Sequence, residues 1–229
     1  MTCSRQFFFL SYPPILAVAA SLIANSYVRL MVVERTLFGQ LLPAYAVAHG
    51  SRFRVKDLSL VLNAYAKAAP PRMTAQLRST AVFAAKPQEF LRVNYGNCKN
   101  GFLVQEALAL RCREQAKHMD CQAMSVIAAA HAKLLIVDEP LFQTLAWRLR
   151  SCARTCTFQA AANLAHAFAK FGFSSPAMPQ DSSNQASEIR GSVPVTDVVF
   201  DAVAEELPRL LAEPNAQSTV LLCHSVARA

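Results

Sequence analysis

The sequence predicts an all-α protein, an α-solenoid of antiparallel helix pairs that repeat about every 37 residues. Hydrophobic residues make up 53% of the 229 residues, whereas glycine occurs only 6 times, and this balance favours helix over sheet. Apolar residues recur three and four positions apart, which is typical of helices, and do not alternate as they do in strands. Segments of the chain also resemble one another, as stacked helix pairs require.

The clearest internal repeat aligns residues 19–41 with residues 123–145 without a gap, and nine of the 23 aligned positions are identical. Its first half occurs five times, in residues 21–29, 59–67, 125–133, 162–170 and 220–228. Each copy predicts a first helix, called helix A here, with small residues that allow close packing against the next copy. A second helix is predicted to start near Thr36, Pro140 or Pro194, since proline suits the first turn of a helix.

These copies predict one helical-repeat domain over residues 1–229. We expect units near residues 15–50, 57–85, 119–155 and 158–211, and a partial unit at 216–229. The repeat weakens over an irregular insert, residues 86–118, where a loop precedes a helix at 102–117. Residues 174–193 are rich in Ser and Pro and are expected to form a loop. Either a neighbouring protein caps the partial unit, or the sequence is part of a longer chain.

Charge is distributed unevenly along the chain. Residues 1–172 contain 20 Lys and Arg against 8 Asp and Glu, whereas residues 173–229 contain 3 against 7. A basic body indicates a polyanionic partner such as RNA. The alternative is a solvated surface on an ordinary basic protein.

The helix A pattern, Ser-Leu-Ile-x-Asn/Ala-Ala-Tyr/His/Phe-Ala-Lys followed by a Leu-Phe-x-x-Leu helix, resembles heptatricopeptide repeats. It is also similar to octotricopeptide repeats and to the helical repeats of FAST-kinase-like proteins, some of which carry a terminal RAP domain that is not recognised here. The resemblance covers residues 19–41, 57–85, 121–172 and 195–229. It implies a non-catalytic α-solenoid that acts on RNA in a mitochondrion or plastid. Tetratricopeptide and pentatricopeptide repeats fit the period less well.

Two sets of equivalent positions carry the expected RNA contacts. The residue that ends helix A is basic in all five copies, and these residues form the basic column: Arg29, Lys67, Lys133, Lys170 and Arg228. Such cations could bind phosphates in a row, or could simply stabilise the negative ends of the helices. Four residues earlier lies the polar column, Asn25, Asn63, Ala129, His166 and His224, whose side chains could contact bases or satisfy neighbouring loops.

Further cations are concentrated in residues 52–117, which hold 12 Lys and Arg against 4 Asp and Glu. We expect them as a group to position RNA by contacting its backbone, although a solvated helix face or loop explains any single one of them better. Together with a cluster further along the chain, they are Arg52, Arg54, Lys56, Arg72, Arg78, Arg111, Arg113, Lys117, Arg148, Arg150 and Arg154.

The sequence predicts neither an enzyme nor a cofactor site. It contains no Gly-rich phosphate loop and no HExxH or GxSxG motif. Zinc could in principle join Cys112, His118, Cys121, Cys152 and Cys156, but no CxxC pair is present, and reduced, buried thiols are the expectation. His131 aligns with Tyr and Phe in other copies and is expected in the core.

The favoured interpretation is a mitochondrial matrix protein, a ribosomal protein that contacts or stabilises rRNA within a ribonucleoprotein. One alternative is an α-solenoid scaffold that binds other proteins. Another is a subunit of a membrane complex, anchored by residues 7–28, because residues 6–28 carry no charge. Pro13 and Pro14 interrupt that stretch, and residues 19–41 have a later copy that does not look like a membrane span.

Overall fold

The computed structural model describes residues 15–34, 36–68, 101–173 and 194–228, which are mostly helical and contain no β-strand. The expected all-α class is confirmed. The α-helices of this part of the chain, numbered in order, are α1 Ile15–Arg29, α2 Leu42–His49, α3 Val55–Ala68, α4 Gly101–Gln115, α5 Cys121–Leu134, α6 Glu139–Cys152, α7 Phe158–Phe171, α8 Val195–Leu210 and α9 Ala216–Val226.

The chain divides into two compact units. Unit 1 comprises Met1–His118 with Lys133–Ile136, and unit 2 comprises Met119–Ala132 with Val137–Ala229. The helix expected at 102–117 is confirmed as α4, which a 3-10 turn at Ala116–His118 extends. The helix that residues 72–85 could form, most of the insert and the loop at 174–193 lie outside the described residues.

In unit 1, α1 packs against α3 and α2 packs against α4. One polar contact links the first of these pairs. Asp57, buried near the start of α3, accepts hydrogen bonds from the Ser21 hydroxyl on α1 at 3.2 Å and from the backbone N–H of Arg54 at 3.1 Å. The same carboxylate therefore caps one helix and holds its neighbour.

In unit 2, α7 packs against α9, α6 against α8, and α7 against α8. Their core centres on Phe142, which is fully buried on α6. Its ring lies 4.9 Å from that of Phe168 and 5.0 Å from that of Phe173, measured between centroids. His131 is also buried and packs against Phe142, so its expected place in the core is confirmed.

The two aligned segments share local structure at several positions. Ser21 and Ser125 are both fully buried, and each hydroxyl donates to the carbonyl three residues earlier, at 2.8 Å. Phe38 and Phe142 are both buried near the start of the second helix. Glu34 and Asp138 each accept backbone N–H groups at that helix start, and Asp138 accepts that of Leu141.

The turn after helix A recurs as well. Within the described residues, positive φ occurs only at Met31 (60°), Leu135 (57°) and Gly172 (58°). Each lies two residues after a member of the basic column. At the first of them the N–H of Val32 donates to the carbonyl of Tyr27 at 2.9 Å, which closes the end of α1 in a Schellman-type cap.

This cap predicts opposite effects for two substitutions. A side chain in the left-handed region costs about 1 kcal/mol, so Met31→Gly is expected to raise the free energy of unfolding by about 0.5–1 kcal/mol. Gly172→Ala is expected to lower it by about 1 kcal/mol through backbone strain alone, because an added Cβ meets no atom within 4 Å. Urea unfolding followed by circular dichroism measures both.

Met31→Ala is the matched control, since it removes the same exposed side chain but keeps the strain; its stability should equal that of the original protein. If Met31→Gly were no more stable than Met31→Ala, the left-handed conformation at this position would be refuted.

The second helices start as expected near Pro140 and Pro194, whereas the one after α1 begins differently. Residues Leu37–Leu41 form a π-helical turn, in which the N–H of Leu42 donates to the carbonyl of Leu37. Proline at position 43 lacks the N–H that an α-helical bond to residue 39 requires, and the wider turn fits that missing bond.

No helix of the described residues is both long and apolar enough to cross a membrane. The first part of the stretch proposed as an anchor, residues 7–14, lies outside those residues. Along α1 and the turn after it, large apolar side chains are exposed, among them Leu22, Ile23, Leu30, Met31 and Val33.

Candidate nucleic-acid interface

The basic column lies at the ends of helices, as expected. Arg29 is the last residue of α1, and Lys67, Lys133 and Lys170 lie in the last turns of α3, α5 and α7. Arg228 follows α9 by two residues. Lys170 is half-buried and the other four are exposed.

Unit 1 brings two members of the column close enough to interact. The pKa of Lys133 is lowered, first by the partial burial of its ammonium group and then by the positive charge of Lys67. These residues are 66 positions apart in the sequence, yet they repel each other in the fold. A bound anion would relieve that repulsion and stabilise both charges.

Unit 2 brings both columns together. His166 and His224, on the packed helices α7 and α9, have ring centroids 5.8 Å apart. Lys170 and Arg228 follow them by one helical turn, so four basic groups share one region. We call His166, Lys170, His224 and Arg228 the histidine–cation cluster.

Electrostatics within the cluster disfavour further positive charge. The pKa of His166 is lowered, most strongly by burial and then by the positive charges of Lys170, His224 and Arg228. Its Nδ1 atom is buried and has no hydrogen-bond partner among the residues that the structure describes. A phosphate oxygen near these groups would favour the charged form of His166, because an anion offsets the repulsion from its three basic neighbours.

Lys170 also has a structural role. Its ammonium group donates to the carbonyl of Ala132 in the last turn of α5, a helix A one repeat earlier. This contact places a cation at the negative end of a neighbouring helix, so the helix-end interpretation of the column holds for this residue. Helix stabilisation and anion binding are compatible, because an ammonium group has three donors.

The rest of the polar column is less informative. Asn25, Asn63 and Ala129 are half-buried on α1, α3 and α5, whereas His224 is exposed. The proximity of His166 and His224 could not be predicted from local sequence, because 58 residues separate them. The repeat alignment did place them at one position.

Structural contacts are made by Arg111, Arg148 and Arg154, which are among the other predicted cations. Arg111 donates from Nε to the carbonyl of Phe53 at 3.1 Å, and its guanidinium pairs with Glu114 at 2.7 Å. Arg148 donates from Nε to the carbonyl of Met119 at 3.2 Å. Arg154 is almost fully exposed and its Nε lies 3.9 Å from the carboxylate of Glu206.

The remaining predicted cations are exposed surface residues or lie outside the described part. Exposed residues of unit 1 are Arg52, Arg54, Lys56, Arg113 and Lys117, and Arg150 is exposed in unit 2. Arg72 and Arg78 lie outside the described residues.

The expectation of reduced thiols is wrong for two cysteines. Cys121 and Cys156 form a disulfide with a Cα–Cα distance of 5.3 Å. Tertiary packing brings Cys121, the first residue of α5, next to Cys156 in the loop before α7. No sequence motif predicts this contact. Among the described residues, no group of three or more His, Cys, Asp and Glu is arranged to hold a metal ion.

Comparison of the chain with protein-family models finds no match, and neither does comparison with the curated proteins.

Proposed function

We propose that this protein is a non-catalytic RNA-binding helical-repeat protein, and that the histidine–cation cluster contacts the phosphate backbone. The observation that carries the proposal is the convergence of His166 and Lys170 on α7 with His224 on α9 and Arg228 just after it. Three basic groups that lower the pKa of a half-buried histidine favour a polyanion. Most of the affinity of such an interface comes from phosphate contacts.

The proposal includes an α-solenoid built on repeats of about 37 residues. Two observations support it. Left-handed residues follow helix A at equivalent positions of three copies, and two of them, Leu135 and Gly172, are 37 residues apart. First helices also pack on first helices, α1 on α3 and α7 on α9. Stacked in this way, column residues of neighbouring repeats can face successive phosphates.

We place this function in the mitochondrial matrix, on rRNA, in a ribosomal ribonucleoprotein. The resemblance to heptatricopeptide and octotricopeptide repeats suggests the compartment, and the positive charge of residues 1–172 suits a fixed contact with structured RNA. Neighbouring proteins of the same assembly would cover the exposed apolar residues of α1.

Binding of the protein to a fluorescent structured RNA tests this proposal. Lys67→Gln/Arg228→Gln removes two charges from the basic column, and Arg5→Gln/Arg190→Gln removes two charges that belong neither to the columns nor to the other predicted contacts. We expect the first pair to weaken binding by about tenfold and to reduce the slope of log K against log salt by about 1–2. The control pair should weaken it by less than about threefold.

The pH dependence gives an independent check on the cluster. Bound phosphate raises the lowered pKa of His166, so RNA affinity should increase as pH falls below about 6.5, the ordinary pKa of a histidine. His166→Gln should reduce this increase, and His118→Gln, at an exposed residue, should leave it intact. Equal losses from both charge pairs, together with a pH profile that His166→Gln does not change, would contradict the proposal.

A protein–protein scaffold is the second candidate, and the exposed apolar side chains of α1 favour it. Leu30 and Met31 are 74% and 89% exposed, which is unusual for adjacent large apolar residues of a monomer. Lack of any salt-dependent RNA affinity, combined with a stable complex that Leu30→Ser disrupts, would support the scaffold over the RNA interface.

A further inference from the structure

Three sulfur atoms meet at one place in unit 2. Cys121 begins α5, Cys152 ends α6, and Cys156 lies four residues later, after the 3-10 turn Ala153–Thr155. Cys121 and Cys156 are joined, and the thiol sulfur of Cys152 lies 3.2 Å from the sulfur of Cys121. A thiol and a disulfide are therefore in direct contact.

We propose that these three cysteines form a thiol–disulfide exchange site in which Cys152 is the attacking thiol. Deprotonated Cys152 attacks the sulfur of Cys121, and a new bond joins these two atoms. The Cys121–Cys156 bond breaks, and Cys156 leaves as a thiolate that takes a proton from solvent. One disulfide and one thiol exist before and after, so the step needs no oxidant or reductant.

Because Cys152 is more exposed than the two disulfide-bonded cysteines, it is the residue through which an external thiol can react with this site. Cys121 and Cys156 are both 3% exposed, so an external thiol cannot readily reach either sulfur of their disulfide. Cys152 is half-buried and accessible. After exchange its sulfur is part of the disulfide, where a small external thiol such as glutathione can attack it. That attack leaves a mixed disulfide on Cys152 and releases Cys121 as a thiolate.

The exchange should cost little, because the two linkages resemble each other. Cys121 is 31 residues from Cys152 and 35 from Cys156, so the two closed loops have nearly the same length. The exchange has a specific structural effect, because the second sulfur of the disulfide changes from Cys156 to Cys152, on the other side of the 3-10 turn Ala153–Thr155. In one state it ties α5 to the segment that leads into α7, and in the other it ties α5 to the end of its own partner, α6.

The surroundings of Cys152 make the reaction depend on pH. Burial raises the pKa of its thiol, the charge of Arg148 lowers it, and that of Asp120 raises it again, with a net increase. Only the thiolate attacks. The exchange rate should therefore still be increasing with pH above about 8.5, the ordinary pKa of a cysteine.

Disulfide mapping of the purified full-length protein tests the site. Trypsin cleaves after Lys117, Lys133, Arg150, Arg154 and Lys170, so each of the three cysteines falls in a different peptide. After acid quenching, alkylation and mass spectrometry, both the Cys121–Cys156 and the Cys121–Cys152 linked peptides are expected. Finding only one linkage at every pH, or three alkylated thiols without any reductant, would overturn the proposal.

Kinetics of reduction by glutathione test the role of Cys152 directly. Cys152→Ser and Cys152→Ala keep the buried disulfide but lack the attacking thiol, and both should be reduced at least about tenfold more slowly than the original protein. Cys223→Ser, at the exposed thiol of α9, should be reduced at the original rate. Reduction of both Cys152 variants at the original rate, in protein with unchanged circular dichroism, would refute the exchange. The outcome does not depend on RNA binding.

Discussion

Phe142→Ala is expected to lower the free energy of unfolding by about 3–5 kcal/mol, the usual cost of removing a fully buried aromatic ring. Phe142 has no exposed surface, and its ring centroid lies about 5 Å from those of Phe168, Phe171 and Phe173. The substitution would leave a cavity among three aromatic rings held by α7 and the residues after it. Urea unfolding followed at the helical circular dichroism signal measures the loss.

Gln143→Ala is the matched control on the same helix. Its amide makes one exposed contact with Glu139, at 3.3 Å, so its removal should change stability by no more than about 0.5 kcal/mol. A loss below about 1 kcal/mol for Phe142→Ala would mean that this ring does not organise the core of unit 2.

Phe38 extends the same test to unit 1. It aligns with Phe142, is 1% exposed, and packs edge-on against Tyr65 with centroids 5.6 Å apart. Among the described residues, fewer rings surround Phe38 than surround Phe142, so a smaller loss, near the lower end of the same range, is expected for Phe38→Ala.

Reduction of the disulfide is expected to lower the free energy of unfolding by about 3–4 kcal/mol, because the bond closes a long loop in the unfolded chain. The bond joins residues 35 positions apart. The measurement compares urea unfolding of the same protein with and without a phosphine reductant. This design separates the effect of the bond from that of any substitution.

Cys121→Ser identifies the bond responsible, since Cys121 is the shared sulfur of both possible linkages. The variant should be less stable than the oxidised protein and should not respond to the reductant. Cys223→Ser should keep the full response. If the reductant left the unfolding of the original protein unchanged, no disulfide of this kind would stabilise the fold.

Sequence periodicity predicted the helices and much of the core because it reflects local physics. Helix A ends, the starts of the second helices, and the burial of His131 all follow from apolar residues at helical spacing. Buried Ser21 and Ser125 fit the same pattern, since each hydroxyl is satisfied by its own helix.

Identical residues nevertheless differ where the local backbone differs. Leu41 and Leu145 align, but Leu41 is 49% exposed and Leu145 is fully buried. The π-helical turn Leu37–Leu41 contains an extra residue per turn and rotates the side chains that follow, so Leu42 takes the buried position. An alignment without gaps cannot reveal this rotation.

Contacts between segments that are distant in the chain could not be predicted from the sequence either. The three sulfurs meet because α5, α6 and the loop before α7 converge, and their spacing matches no known motif. For the candidate interface, the alignment placed His166 and His224 in one column, but their 5.8 Å separation depends on how closely α7 packs against α9.

The left-handed residue after helix A limits how this sequence can diverge. Leucine, methionine and glycine occupy the position, whereas valine, isoleucine and threonine, whose branched Cβ crowds the backbone there, would be strongly penalised. Distant homologues should therefore show a cation, one variable residue and then an unbranched residue or glycine, even after their apolar identities have drifted. A search profile weighted toward that tripeptide at the end of each first helix should recover them better than overall identity does.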